Sequence, residues 1–299
     1  MQLNHLSHVV VYRALAELRS EATRTYAGFL WWIIQPMLMF GVYYLAFNFV
    51  IENRTENFAI FLFTGIVLWQ WFSVSVLRCS GSLIAAKPLM QQVNLHKSVF
   101  PFSIIMVNTV KFGITFAILL MVLQVAGFLP GWSWVTLPLL LLVELLVIIA
   151  VGCFSAMISP FVPDFQHILN TVLHLMFFVS GIIYDLSIMP DRIRQILEFN
   201  PMAIIIGESR DVLMHNQFPD WGVLMIPILE AGVLLAISLL LIPLAFGPIV
   251  ASLADIRRRA AAGETQLSKR EVHRRAWRVT AVVALVPALA LAAGVLAVV

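Results

Sequence analysis

The residues of this chain that could do chemistry are few, and most sit where a charge is costly. Lys111, Glu144 and Glu230 interrupt long apolar runs. Ionisable groups in such runs mark a pathway, a ligand or an ion pair. Lys111 falls about a dozen residues into its run, roughly 18 Å along a helix axis. Two readings of it stand side by side: it faces a pore or a phosphate, or it snorkels to the interface or pairs with Glu144. Glu230 falls near the outer end of its run and reads as interfacial. His167 and His174 share one side of a run without further ligands, so they read as structural and no metal site is expected. Cys79 and Cys153 give neither a disulfide framework nor metal-ligand spacing. No GxxxxGK[ST], HExxH or GxSxG pattern occurs. P-loop nucleotide binding is therefore not expected of this chain, nor is enzymatic turnover by itself. Any ATP that drives it would be bound by another subunit.

The elements that position these groups are apolar. Of 299 residues, 61% are hydrophobic and only 12% charged. A soluble domain carries about a quarter charged residues, so lipid is the expected solvent. The net charge of +3 is too small to suggest nucleic acid as a partner. A bilayer crossing needs about 20 apolar residues. Six runs qualify: Gly28–Val50, Phe58–Leu77, Phe100–Leu129, Val135–Pro160, Ile168–Tyr184 and Val223–Val250. A seventh, Val279–Val299, carries no charge.

Residues 8–25 read as an amphipathic helix. Val11, Ala14, Leu15, Leu18 and Ala22 fall on one face, and Arg13, Glu17, Ser20, Glu21 and Arg24 on the other. The short apolar face suits a helix lying on a membrane, with a plain soluble amphipathic helix as the alternative. Lys and Arg favour the cytoplasmic side. They concentrate in the N-terminal segment, in the loop after the second run and in the stretch from Arg257 to Arg278. The N-terminus is therefore expected inside, and the seventh run would place the C-terminus outside.

The outer segment from about 185 to 216 is more than a loop. Pro190 suits the first turn of a short helix with Ile193, Ile196 and Leu197 as its stripe. Asn200-Pro201 reads as an N-cap followed by the first helical position, in a helix running to about Met214 and ending at His215-Asn216. Two short helices between spans suggest a re-entrant hairpin, with a wet cavity beside it. Aromatic residues crowd the first two runs, among them Trp31, Trp32, Tyr43, Tyr44 and Phe72. Singly they read as packing or interfacial rings, whereas as a group some would line a path for sugars.

These pieces resemble the permeases of ABC exporters for O-antigen, capsule, teichoic acid and galactan polysaccharides. Arg24, Tyr26, Gly28, Trp31 and Gln35-Pro36 resemble that family's LGxLWxxxxP opening, with Ala27 in place of the usual Leu. Leu89–Pro101 is similar to its cytoplasmic coupling segment, with His96 where Pro is usual. Ser180-Gly181, Met189-Pro190, Asn200-Pro201-Met202 and Arg210 resemble its re-entrant gate and NPxxxxxExxR signature. Gly207 takes the acidic position there, and Glu208 stands one residue along.

The resemblance implies an all-α integral membrane protein. Residues 1–27 would be a cytoplasmic N-terminus with an interfacial helix, and 28–250 a six-helix permease core with the re-entrant hairpin. Outside the resemblance, which covers about residues 10–255, the sequence itself adds a basic cytoplasmic linker at 251–278 and an additional transmembrane helix at 279–299. The resemblance also implies a homodimer with two ATP-binding cassette subunits, which would hold ATP and Mg. The pair would export a polyprenyl-diphosphate-linked glycan across a bacterial inner membrane. Arg19 and Arg24 would meet the diphosphate or lipid headgroups. Gln91, Leu95, His96 and Lys97 would couple to the ATPase. Trp31, Trp32, Tyr43, Tyr44 and Phe72 would line the substrate path. Tyr184, Pro190, Asn200, Pro201, Glu208 and Arg210 would form the outer gate. Two alternatives stand beside this reading: an ABC permease for a smaller amphiphile such as a drug or lipid, and a membrane-embedded glycan transferase. The scatter of Asp164, Asp185 and Asp191 over both faces argues against the transferase.

Overall fold

The computed structural model describes residues 2–24, 28–48, 57–92, 96–185, 190, 197 and 199–238, and their regular structure is entirely helical. The expected short helix at Pro190, the end of the sixth run, the basic linker and the seventh run fall largely or wholly outside the described residues. Helix α1 (Gln2–Arg24) leads to a 3-10 turn at Gly28–Leu30 and then to α2 (Trp31–Asn48). Gly28 has φ +47°, and a Cβ there would stand 2.6 Å from the Ala22 carbonyl oxygen. Only glycine lets the chain double back so tightly against the end of α1.

Helix α3 (Phe58–Ala85) is the central post. Its 28 residues rise about 42 Å. It packs chiefly against α5 (Val99–Val125) and α6 (Leu137–Ile158). The short α4 (Lys87–Gln92) links α3 to α5, and a 3-10 turn at Trp132–Thr136 precedes α6. Helices α7 (Phe165–Val179), α8 (Pro201–His215) and α9 (Trp221–Ser238) complete the described bundle. In lipid the helices gain little from hydrophobic exclusion, so close packing holds them together. Leu62, Leu68, Leu119, Leu140 and Ile148 are fully buried in this seam. Gly152 lets α6 approach α3, since a Cβ there would meet Cys79 Sγ at 3.3 Å.

Among the described residues five helices are long and apolar enough to cross a membrane, and two expected boundaries change. The second span does not stop at Leu77 but runs to Ala85, which places Arg78 inside the helix. It can do so because Arg78 is neutralised by carboxylates from α1, described below. The fifth run, expected as Ile168–Tyr184, is helical only over Phe165–Val179. Those 15 residues rise about 22 Å, short of a bilayer core of about 30 Å. The helix breaks where Gly181 takes φ +64°. The helix predicted after Asn200 forms as expected. Asn200 Oδ1 accepts from Met202 N at 3.1 Å, and Asn216 ends the helix with φ +52°.

Candidate functional site

Helices α1, α2, α3 and α5 enclose a half-open cleft of about 470 Å³ at the end of the bundle where α1 lies. Its aromatic wall is Trp31, Trp32, Trp71 and Phe112, and its polar wall is Gln35, Gln70, Asn108 and Thr115. Between the walls stand Glu21, Arg78 and Lys111. Trp71 and Phe112 lie ring on ring, with centroids 4.0 Å apart and planes within 9°. Pro36 lies inside α2 and also borders the cleft, where its missing N–H opens the helix ladder.

The charges form one network. Arg78 Nη2 donates to Glu17 Oε1 and to Glu21 Oε1, both at 2.7 Å. Lys111 Nζ donates to the other oxygen of Glu21, Oε2. Arg78 Nη1 also donates to Asn108 Oδ1 at 3.1 Å. The Lys111 ammonium sits 5.3 Å from the Trp32 ring centroid, within cation–π range. Burial alone would raise the Glu21 pKa, but Lys111 and Arg78 outweigh it and hold the carboxyl below its ordinary value of 4.5.

Thus Lys111 pairs with Glu21 of α1 rather than with Glu144. Glu144 is fully buried in α6, and neither of its oxygens has a hydrogen-bond partner among the described residues. Sequence reasoning singled out Lys111 but missed its partners. Two signals were present: Glu17 and Glu21 are four apart on one face of α1, and Arg78 is a further cation directly after an apolar run. Glu17 and Glu21 of α1 turn to Arg78 and Lys111 and Ala14 is buried as α1 packs on α5, while Val11, Tyr12 and Leu15 on α1 remain exposed. Arg13 of the same helix lies 4.5 Å over the Phe100 ring.

The expected path residues divide. Trp31 and Trp32 line the cleft. Tyr43 stacks on Phe177 at 4.8 Å, Tyr44 on Phe40 at 5.6 Å, and Phe72 is a buried core ring beside Trp69. Arg19 is exposed, and the Arg24 side chain lies outside the described residues. In the expected coupling segment, the side chains of Gln91 and Leu95 also lie outside them. His96 is exposed with Nδ1 2.6 Å from Ser98 Oγ, and burial lowers the pKa of half-buried Lys97. His167 and His174 are exposed on α7, where His174 Nδ1 lies 2.7 Å from Asn170 O. Among the described residues no cluster could hold a metal ion.

The far end of the bundle gathers the other expected set around Arg210 on α8. This guanidinium is buried and its head is held by main-chain oxygens. Nε and Nη2 donate to Phe61 O at 3.2 and 3.0 Å, Nη1 donates to Gly181 O at 2.7 Å, and Nη2 donates also to Ile182 O at 2.9 Å. Its carbon Cζ stands 3.3 Å over the Phe61 ring. Glu208 does not pair with it and instead accepts from Asp220 N at 2.8 Å. Tyr184 Oη donates to Phe178 O at 2.7 Å, and Asn200 Nδ2 donates to Ser180 Oγ at 2.9 Å. Pro201 opens α8, and Pro190 is exposed. Arg210, Asn200 and Tyr184 thus come together at the break after α7, whereas Glu208 ties α8 to the start of α9.

The sequence that builds these packed apolar helices, the cleft and the broken helix at the far end has relatives. Residues 14–214 match the family described as ABC-2 type transporter. The chain is 29% identical over 206 residues to the O-antigen export system permease protein RfbA of Myxococcus xanthus, covering 68% of this chain and 79% of that one. It is 28% identical over 215 residues to the protein of the same name from Klebsiella pneumoniae, covering 72% and 83%. It is 23% identical over 216 residues to the polysialic acid transport protein KpsM of Escherichia coli, covering 69% and 81%. The matched stretch contains the cleft, the network around Lys111 and the Arg210 anchor, and the chain is a multi-pass membrane protein of the ABC-2 type transporter family.

Proposed function

We propose that this chain is the membrane-spanning permease of an ATP-driven exporter for a polysaccharide carried on a polyprenyl diphosphate. The observation that carries this reading is the run of matches to permeases named for O-antigen export and polysialic acid transport. The geometry agrees with it in kind. A cleft with an aromatic wall for sugar faces and half-buried cations for an anion opens beside the amphipathic helix.

In this reading the N-terminus and α4 face the cytoplasm of a bacterial inner membrane. Two copies pair, and each docks one ATP-binding cassette subunit through Gln91, Leu95, His96, Lys97 and the end of α1. ATP and Mg are held by that partner. Arg19 and Arg24 meet the phosphates or headgroups at the surface, and Trp31 and Trp32 receive the first sugars. Tyr43, Tyr44 and Phe72 join the path only once the helices separate, and the segment around 185–216 forms the outer gate.

The test is co-purification. The chain is expressed with its cognate cassette subunit and reconstituted in nanodiscs, and stoichiometry and ATP hydrolysis are measured. The expected result is a complex of two and two with ATPase activity, weakened by Lys97→Glu. A chain that binds no cassette subunit, yet transfers sugar to a polyprenyl acceptor alone, would replace this reading with the transferase one.

A further inference from the structure

The Glu21 carboxylate bridges two cations with its two oxygens, Oε1 toward Arg78 and Oε2 toward Lys111. A phosphate group spans a pair of cations in the same way, with separate oxygens on each. Arg78 and Lys111 belong to α3 and α5, which pack tightly on one another, whereas Glu17 and Glu21 belong to α1. Helix α1 packs along α5, with Ala14 buried and Arg13 over the Phe100 ring, but it belongs to neither of the helices that carry the cations. The cations are therefore built into the scaffold, and their carboxylate partners sit on a separate element.

The cleft also holds a donor with nothing to donate to. Asn108 is 4% exposed and lines the cleft. Its Oδ1 is occupied by Arg78, and its Nδ2 has no partner among the described residues. A buried amide N–H left unpaired is costly and calls for an acceptor. Arg78, Lys111 and this amide would together present donors from three side chains to one anion. Two cations against Glu17 and Glu21 leave the network neutral, so an incoming anion must displace a carboxylate rather than fill a vacant charge. The aromatic wall of Trp31, Trp32 and Trp71 beside the cations is apolar, which suits a phosphate ester of a lipid over a free inorganic ion.

From these observations we propose that Arg78, Lys111 and Asn108 form the binding site for the diphosphate of a lipid-linked substrate, and that Glu21 of α1 holds the site closed as a displaceable stand-in for it. The proposal deepens the export reading and rests on it for the identity of the lipid. Binding of the substrate and release of α1 become one event. Arg210 at the far end is held instead by main-chain oxygens, which cannot leave with a side chain.

The experiment uses the full chain alone, without any cassette subunit, in nanodiscs of phosphatidylcholine. Equilibrium binding of radiolabelled farnesyl diphosphate is measured, with unlabelled farnesol and phosphatidylglycerol as competitors. Lys111→Gln and Arg78→Gln are each expected to weaken binding about tenfold, the loss of one charge-assisted contact. Lys111→Arg restores most of it. Glu21→Gln, with the competing carboxylate removed, is expected to tighten binding several-fold, and Glu17→Gln to tighten it less. A cluster that only braces the bundle would weaken binding in all the neutralising variants alike, and that outcome overturns the proposal. So does farnesol competing as well as the diphosphate. Phosphatidylglycerol competing equally assigns the site to headgroup phosphates and overturns the substrate assignment. Thermal melting of each variant separates misfolding from lost binding, and the Lys111→Arg rescue keeps the test decisive if Lys111→Gln melts early. Because no ATPase is present, failure of the export reading shows itself separately, as a missing complex with an intact binding pattern.

Discussion

The two ends of this bundle each hold cations inside apolar helices, and they satisfy them in opposite ways. At the α1 end, Arg78 and Lys111 are met by side-chain carboxylates across an open cleft. At the far end, Arg210 is met by three main-chain carbonyls of α3 and the turn after α7. A carboxylate can leave with the helix that carries it, and another anion can replace it. A backbone carbonyl can leave only if the backbone itself moves. One end is therefore built to exchange partners, and the other to pin a helix break in place. The break needs pinning because α7 ends at Val179, and the carbonyls of Gly181 and Ile182 beyond it would otherwise lie unpaired in a dry environment.

The sharpest way to break this contrast is to remove the pin. Arg210→Ala strips the partners from the Phe61, Gly181 and Ile182 carbonyls and leaves a hole beside Phe61. The expected cost is about 3–5 kcal/mol, on the scale of breaking a buried charged network. Thermal melting in detergent should show a large drop or a failure to accumulate, and melting like that of the unaltered chain would mean the carbonyl cage holds nothing.

A smaller effect is expected from the other side of the same anchor. A Cβ on Gly65 would stand 2.6 Å from Arg210 Nη2 and 3.1 Å from Ile182 Cγ2. Gly65→Ala must shift the guanidinium, at a cost of about 1–3 kcal/mol typical of overpacking. If the contact with Arg210 is the cause, the double variant Gly65→Ala with Arg210→Ala costs less than the sum of the two.

Next in size is the cap that starts α8. Asn200→Ala loses the bond from Met202 N and the one to Ser180 Oγ, so about 1–2 kcal/mol of stability is expected to go. Asn200→Asp keeps the cap acceptor but not the donor to Ser180. Melting that recovers only in part with Asp would show that Asn200 ties the helix start to the break as well as capping it.

Much of this contrast could be read in the sequence, and the part that could not has a physical reason. Apolar run length located the long helices, and Asn200-Pro201 with His215-Asn216 marked both ends of α8, because caps and span lengths are local properties. Lys111 was visible as a charge in an apolar run, but its partner was not. Glu21 lies 90 residues away on a helix whose polar face looked merely solvated. The same holds for Arg78, which follows the end of the apolar run in sequence but is neutralised within the helix by carboxylates from α1. The early end of α7 was also hidden, since Ile182 and Ile183 continue the apolar run while Gly181 reverses the backbone. Arg210 was matched by its motif, but a cage of carbonyls leaves no pattern of side chains to detect.

The mildest prediction separates the two ends by pH. The folded-state pKa of Glu21 lies below 4.5, because Lys111 and Arg78 offset the opposing effect of burial. A lowered carboxyl pKa contributes stability that is fully present above the unfolded value and is lost as pH falls through the folded one. The docking of α1 should therefore be constant near neutral pH and weaken only below 4.5, by about 1 kcal/mol or less for so accessible a pair. A spin label at exposed Ser20, placed by Ser20→Cys after Cys79 and Cys153 are replaced with Ala, would gain mobility over that acid range. A label at exposed Phe178, beside the carbonyl-held break after α7 and away from the Glu208 carboxylate, would not, because the carbonyls that hold Arg210 do not titrate. Glu21→Gln should make the Ser20 label more mobile already at neutral pH and less sensitive to acid, with Glu17 still on Arg78. If both labels loosened together, the ends would be acting as one unit. Exchange at the cleft and pinning at the far end would then be two views of a single latch.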